Sequence, residues 1–120
     1  MQDLDDFLSY VISNVDGALF AALGSVDGLL VEQHPKQGQD LSAFTAELTN
    51  VLGNVGRLNE AGFDGGALQE AMVTAERLMS YARMLNEELF LFVVMNPSGN
   101  LGKARLYSEQ VAPQILEMFT

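Results

Sequence analysis

ALQEAMVTAERLMSYARMLN, residues 67–86, is the stretch on which the fold turns, because its residues satisfy two incompatible patterns. Leu68, Met72, Ala75, Met79, Ala82 and Leu85 recur at helical spacing, and the segment is built of good helix formers. Val73-Thr74 and the run 79–84 alternate instead like two strands on either side of Glu76-Arg77. Periodicity alone leaves both readings open.

The flanking segments are clearer. LFLFVVM, Leu89–Met95, is apolar at every position, as expected of a strand buried on both faces in the middle of a covered sheet. Asn96-Pro97-Ser98-Gly99 breaks it. Asn100 can then cap a last helix with Leu101, Ala104, Ser108, Val111, Ile115 and Phe119 along one face, which Pro113 is expected to kink or split.

Upstream, a helix is expected over 41–59, with Asp40 as N-cap and Gly62 as C-terminal stop. A projection at about 100° per residue gathers Leu41, Phe44, Leu48, Val51, Val55 and Leu58 on its core-facing side. Ser42, Ala46, Thr49, Gly53 and Arg57 fall opposite. Glycine inside a helix costs about 0.8–1 kcal/mol relative to alanine, so Gly53 and Gly56 call for a reason, which close approach of a second helix would supply. A tolerated surface glycine is the alternative. Before this helix, Asp27-Gly28 favours a tight turn between strands at 18–24 and 29–34, ended by His34-Pro35. A first helix over 3–15 carries Leu4, Phe7, Leu8, Val11, Ile12 and Val15 on one face.

With 120 residues, 48% of them hydrophobic, and neither a repeat nor a linker, the expectation is one domain spanning 1–120. The chain has no cysteine, which excludes disulfides, thiolate metal sites and a cysteine nucleophile. MQDLDDFLSYV is acidic where a signal peptide is basic, and the longest apolar run is too short to cross a bilayer, so a cytoplasmic protein with no membrane partner is expected. A net charge of −10 repels phosphate backbones and argues against nucleic acid as a partner.

No constellation for catalysis stands out. His34 is the only histidine, too isolated for a triad or an imidazole zinc site. Asp5-Asp6 flank a helix start, where acids offset the dipole, and Glu87-Glu88 flank a turn. The loop Gly62-Phe63-Asp64-Gly65-Gly66 lacks the Lys-Ser/Thr of a phosphate-binding loop. Arg57, Arg77, Arg83 and Arg105 could each stabilise phosphate charge, yet nothing in the sequence aims one at a phosphate. Neither a cofactor, a metal nor an enzymatic activity is therefore expected.

The order helix, Asp-Gly hairpin, helix, strands, Asn-Pro turn resembles the roadblock and dynein-light-chain family. GALFAALGSVDGLLVEQ (17–33), LFLFVVMNPSG (89–99) and NLGKARL (100–106) carry the likeness, the last resembling the Asn-Leu-Gly-x-Ala-Arg opening of the final helix in bacterial members. The resemblance implies an α/β (α+β) fold: a five-stranded antiparallel sheet with the second helix on one face and the first and last on the other. That places a hairpin at 67–86, overriding local propensity. It also implies a non-catalytic homodimeric module that binds and regulates a small Ras-like GTPase, as in the bacterial gliding-motility branch; a self-associating scaffold without a GTPase partner is the alternative. Family dimers join through the second helix and the strand after it. The interface with the copy or partner is thus expected at Ser42, Ala46, Thr49, Asn50, Gly53 and Arg57.

Overall fold

A computed structural model describes residues 3–120, so the first two residues of MQDLDDFLSYV lie outside the described residues. The elements run α1 (Leu4–Asn14), β1 (Ala18–Ser25), β2 (Leu30–His34), α2 (Ser42–Glu60), β3 (Glu70–Thr74), β4 (Met79–Met84), β5 (Leu89–Met95) and α3 (Leu101–Glu117). The strands form one antiparallel sheet in the order β2-β1-β5-β4-β3. Among the described residues no helix is long and apolar enough to cross a membrane.

β5 lies at the centre and is buried at all seven positions. Side chains alternate across a strand, so Leu89, Leu91, Val93 and Met95 enter one core while Phe90, Phe92 and Val94 enter the other. The first core is closed by Leu8 and Val11 of α1 with Ala104, Val111 and Ile115 of α3, the second by Leu48 and Leu52 of α2. Two helices therefore cover one face and one helix the other, as the resemblance implies. Each large apolar side chain so buried is worth about 1.5–3 kcal/mol.

Residues 67–86 form the hairpin. β4 pairs with β5 from Met79↔Met95 to Met84↔Phe90, and Ala75 N–H donates to the Leu78 carbonyl at 2.7 Å to close the turn around Glu76-Arg77. The helical pattern loses because β4 lies between both helical layers: Met79 and Tyr81 fill one core while Ala82 fills the other. A helix there would offer an apolar stripe on one side only.

The helix ends follow local chemistry. Asp3 caps α1, its carboxylate accepting the Asp6 N–H at 2.9 Å while Asp6 accepts the Asp3 N–H at 3.3 Å. Asn100 caps α3 by accepting the Lys103 N–H at 2.9 Å. Pro113 does not split α3, which runs unbroken to Glu117. The proline is exposed and withholds a single donor, while Val111 and Ile115 on either side of it are anchored in the core. At the start of α2 the N-cap position falls on Leu41, not Asp40. Asp40 instead accepts from the Ser42 N–H at 3.0 Å and hydroxyl at 2.8 Å, and these two bonds hold its carboxyl below the ordinary range. The chain leaves α2 through Gly62 at φ +85°.

α2 is also rotated from its expected facing. Its buried line is Leu41, Thr45, Leu48 and Leu52, whereas Val51 and Leu58, expected inside, are 40% and 68% exposed. The cause is a notch in β1. A Cβ on Gly24 would stand 2.7 Å from Phe90 Cζ and 2.9 Å from Thr45 Cγ2, so only glycine lets α2 settle this deeply. Thr45 can be buried there because its hydroxyl donates to the Leu41 carbonyl at 2.7 Å.

The edge strand β3 is tethered from the α3 side. Glu70 accepts from the Tyr81 hydroxyl at 2.6 Å and from Arg105 at 2.8 Å and lies 3.6 Å from Arg83, which also reaches Glu109 at 3.3 Å. The Tyr81 bond, aided by Arg105 and Arg83 against the cost of burial, holds the Glu70 carboxyl below its ordinary range. Burial, reinforced by Glu70, pushes the Tyr81 hydroxyl up to about 12.

Two outcomes are expected. Gly24→Ala forces the Thr45 and Phe90 contacts apart and destabilises by about 1–3 kcal/mol, read from the urea unfolding midpoint. Folding holds the Tyr81 proton more tightly than the unfolded chain does, with its ordinary value near 10. That contribution is complete below pH ~10 and is lost as pH rises towards about 12. Tyr81→Phe therefore costs about 1 kcal/mol at neutral pH and removes this alkaline loss, as urea midpoints taken across that window will show. An identical alkaline slope in both proteins rules out the coupling.

Candidate functional site

The outer surface of α2, the free edge of β3 and the segment 61–69 between them lie on one side of the molecule. Among the described residues β3 pairs with β4 alone, which leaves alternate N–H and C=O groups along its other edge without a strand partner. Met72 and Val73 on that strand are 49% and 45% exposed. Natural edge strands are commonly guarded by charge, proline or a bulge, and the middle of β3 carries none of these. Its only charge, Glu70, is engaged by Tyr81 and Arg105.

α2 presents the residues singled out in the sequence. Ser42, Ala46, Asn50, Gly53 and Arg57 are exposed, whereas Thr49 is half-buried with its hydroxyl donating to the Thr45 carbonyl at 2.9 Å. Arg57 donates to Asn54. Ser42 and Arg57 lie near opposite ends of the helix, about 22 Å apart along its axis, so the six make an elongated strip and not a pocket. A Cβ on Gly53 would meet only Arg57 Nη1 at 3.8 Å, and one on Gly56 would meet nothing within 4 Å. Nothing inside the protomer therefore requires either glycine, although each costs about 0.8–1 kcal/mol in a helix.

Hollows open on both flanks of α2. One, of about 660 Å³, runs from Thr49, Leu52 and Gly53 to Leu68 and the β4–β5 turn. The other, of about 200 Å³, lies at the opposite end of the sheet between Phe44, Leu48 and Val51 of α2 and Val73 and Leu78 of the β3–β4 hairpin. The second was not anticipated because Val51 was expected on the core-facing side with Phe44, which does pack against the second core. Phe63, 88% exposed in the loop after α2, was likewise not anticipated.

The site offers surface and shape but no convergent acid–base or metal chemistry. Among the described residues no three of His, Cys, Asp and Glu gather to hold a metal ion. His34, the last residue of β2, is half-buried, with its Nδ1 2.9 Å from the Asp5 carboxylate of α1. Of the four arginines, Arg83 and Arg105 are held by Glu70, while Arg77 is 89% exposed and 3.9 Å from Glu76.

No family model and no curated protein matches the sequence. Solved structures do match. A Roadblock/LC7 domain from Streptomyces avermitilis superposes with a TM-score of 0.81 at 18% identity, covering 96% of this chain and 99% of that one. MglB of Myxococcus xanthus superposes with a TM-score of 0.85 at 13% identity over 99% and 96% of the two chains. MglC of the same organism gives 0.67 at 26% identity over 92% and 93%. This chain, three helices on a five-stranded antiparallel sheet, has the Roadblock/LC7 fold, shared with the gliding-motility proteins MglB and MglC.

Proposed function

We propose that residues 1–120 act as one non-catalytic, cytoplasmic module that forms a homodimer and binds and regulates a small Ras-like GTPase. The observation that carries the reading is the bare edge of β3 beside an α2 surface whose glycines serve nothing within the protomer. Pairing two β3 edges would satisfy their open backbone groups and continue the sheet across the dimer, with Met72 and Val73 withdrawn from water. Closely approaching helices would then account for Gly53 and Gly56. The GTPase part draws on the fold shared with MglB and MglC and on the gliding-motility branch that the sequence resembles.

In this reading Ser42, Ala46, Thr49, Asn50, Gly53 and Arg57 form the strip that meets the second copy or the GTPase. The GTPase keeps its own catalytic residues; the module's part is to hold and position them. No arginine of this chain is assigned to the reaction.

A Ras-like GTPase from the same cell is expected to co-purify with the protein and to bind it with an affinity that depends on the nucleotide. Self-association without capture of any such GTPase leaves the scaffold reading in its place. Gly53→Leu has opposite expected effects on two measurements. The isolated protomer gains up to about 0.8 kcal/mol, because leucine is the better helix former. Dimerisation by light scattering, or GTPase affinity measured beside it, falls at least about tenfold, because bulk enters a close contact. If both associations are unchanged, the strip is not an interface.

A further inference from the structure

Phe63 is exposed over 88% of its surface, and Leu58, in the last turn of α2, over 68%. Neither packs in either core. Single exposed apolar residues are ordinary, but here two flank the same helix end, beside an unpaired edge strand.

The path of the chain says where they would go. Segment 61–69 enters β3 at the end of the sheet that holds the β4–β5 turn, where the Met84 N–H donates to the Gln69 carbonyl at 2.9 Å. The smaller hollow lies at the other end, by the β3–β4 turn. Phe63 and that hollow are thus at opposite ends of β3 within one protomer. A two-fold axis through paired antiparallel β3 strands reverses the relation, because the start of one strand then faces the end of the other. The loop leading into β3 of one copy arrives at the β3–β4 turn of its mate. It does so on the α2 side of the sheet, where Phe44, Leu48, Val51, Val73 and Leu78 line the hollow with Glu47 at its rim.

Charge does not drive this placement: Asp64 of the arriving loop would meet Arg77, 89% exposed, but also Glu76, 85% exposed, and Glu47 at the hollow, so the contact is an apolar one.

We propose that Phe63 of each protomer docks in the Phe44–Val51–Val73–Leu78 hollow of a second copy, so that two reciprocal aromatic anchors lock the β3-paired dimer. This rests on the self-association proposed above and adds to it the residue that sets the geometry. It also gives Val51, 40% exposed in the protomer, an apolar contact.

The absence of cysteine makes the test clean, since any introduced thiol is the only one in its chain. Full-length Ala61→Cys and Glu47→Cys proteins, both retaining Phe63, are mixed, allowed to exchange, and treated with a short bis-maleimide. The expected result is a crosslinked dimer in the mixture well above that formed by either protein alone. A dimer by sedimentation that gives no excess crosslink in the mixture overturns the docking and leaves self-association standing. A monomer at every concentration overturns both. Phe63→Ser supplies the second measurement: the dimer dissociation constant rises at least about tenfold, as expected for loss of a buried phenyl ring, while the unfolding midpoint of the protomer does not move. An unchanged dissociation constant overturns the anchor.

Discussion

A strand that is apolar on both faces must be covered on both, and the rest of the molecule follows from how β5 meets that requirement. Leu91 and Val93 need a layer on one side and Phe90 and Phe92 a layer on the other, all four being fully buried. An exposed β5 would forfeit about 1.5–3 kcal/mol for each of these side chains. β1 and β4 flank it and α1, α3 and α2 close the two cores. Central placement of β5 pushes β2 and β3 to the edges. The open β3 edge is in this sense a by-product of the core.

The two helical layers are not equivalent. α1 and α3 share one face, and α3 extends its side chains over the margin of the sheet, where Arg105 reaches Glu70 of β3. The other face has α2 alone. One helix cannot cover five strands, so open ground remains on each of its flanks, one hollow bounded by the β4–β5 turn and the other by the β3–β4 turn. A strand edge held in place from one side and left bare on the other is preorganised for association, since little further ordering is needed when a partner arrives. The Glu70, Tyr81, Arg83 and Arg105 cluster has that mechanical role here, and it engages two of the four arginines in ion pairs.

The Gly24 notch decides which residues α2 shows to the outside. Because Thr45 drops against β1, Leu52 turns inward with it and Val51 and Leu58 turn out. A helical projection cannot anticipate this, since it ranks side chains by polarity and Thr45 ranks with the polar ones. Its hydroxyl is satisfied by the Leu41 carbonyl four residues back, which removes most of the cost of burying it. Of the two apolar residues displaced by the rotation, Val51 lines the smaller hollow.

Local sequence was enough for α1, for the Asp-Gly hairpin, for the buried β5 and for the Asn100 cap of α3, because periodicity, turn chemistry and capping act within a few residues. It also marked the glycines of α2 as unexplained, and the protomer still gives no reason for them. Three things were decided only by the tertiary structure. Residues 67–86 became a hairpin because β4 is needed between two cores, a demand set by segments distant in sequence. The facing of α2 was set by a missing side chain on β1, a contact between Gly24 and Thr45 that no helical wheel contains. The opening at the β3 edge exists because strand order, which arises from nonlocal pairing, left that strand with one neighbour. Sequence thus specified what each segment wants to bury, and the packed fold determined which of those demands are met within the chain and which are left for a partner.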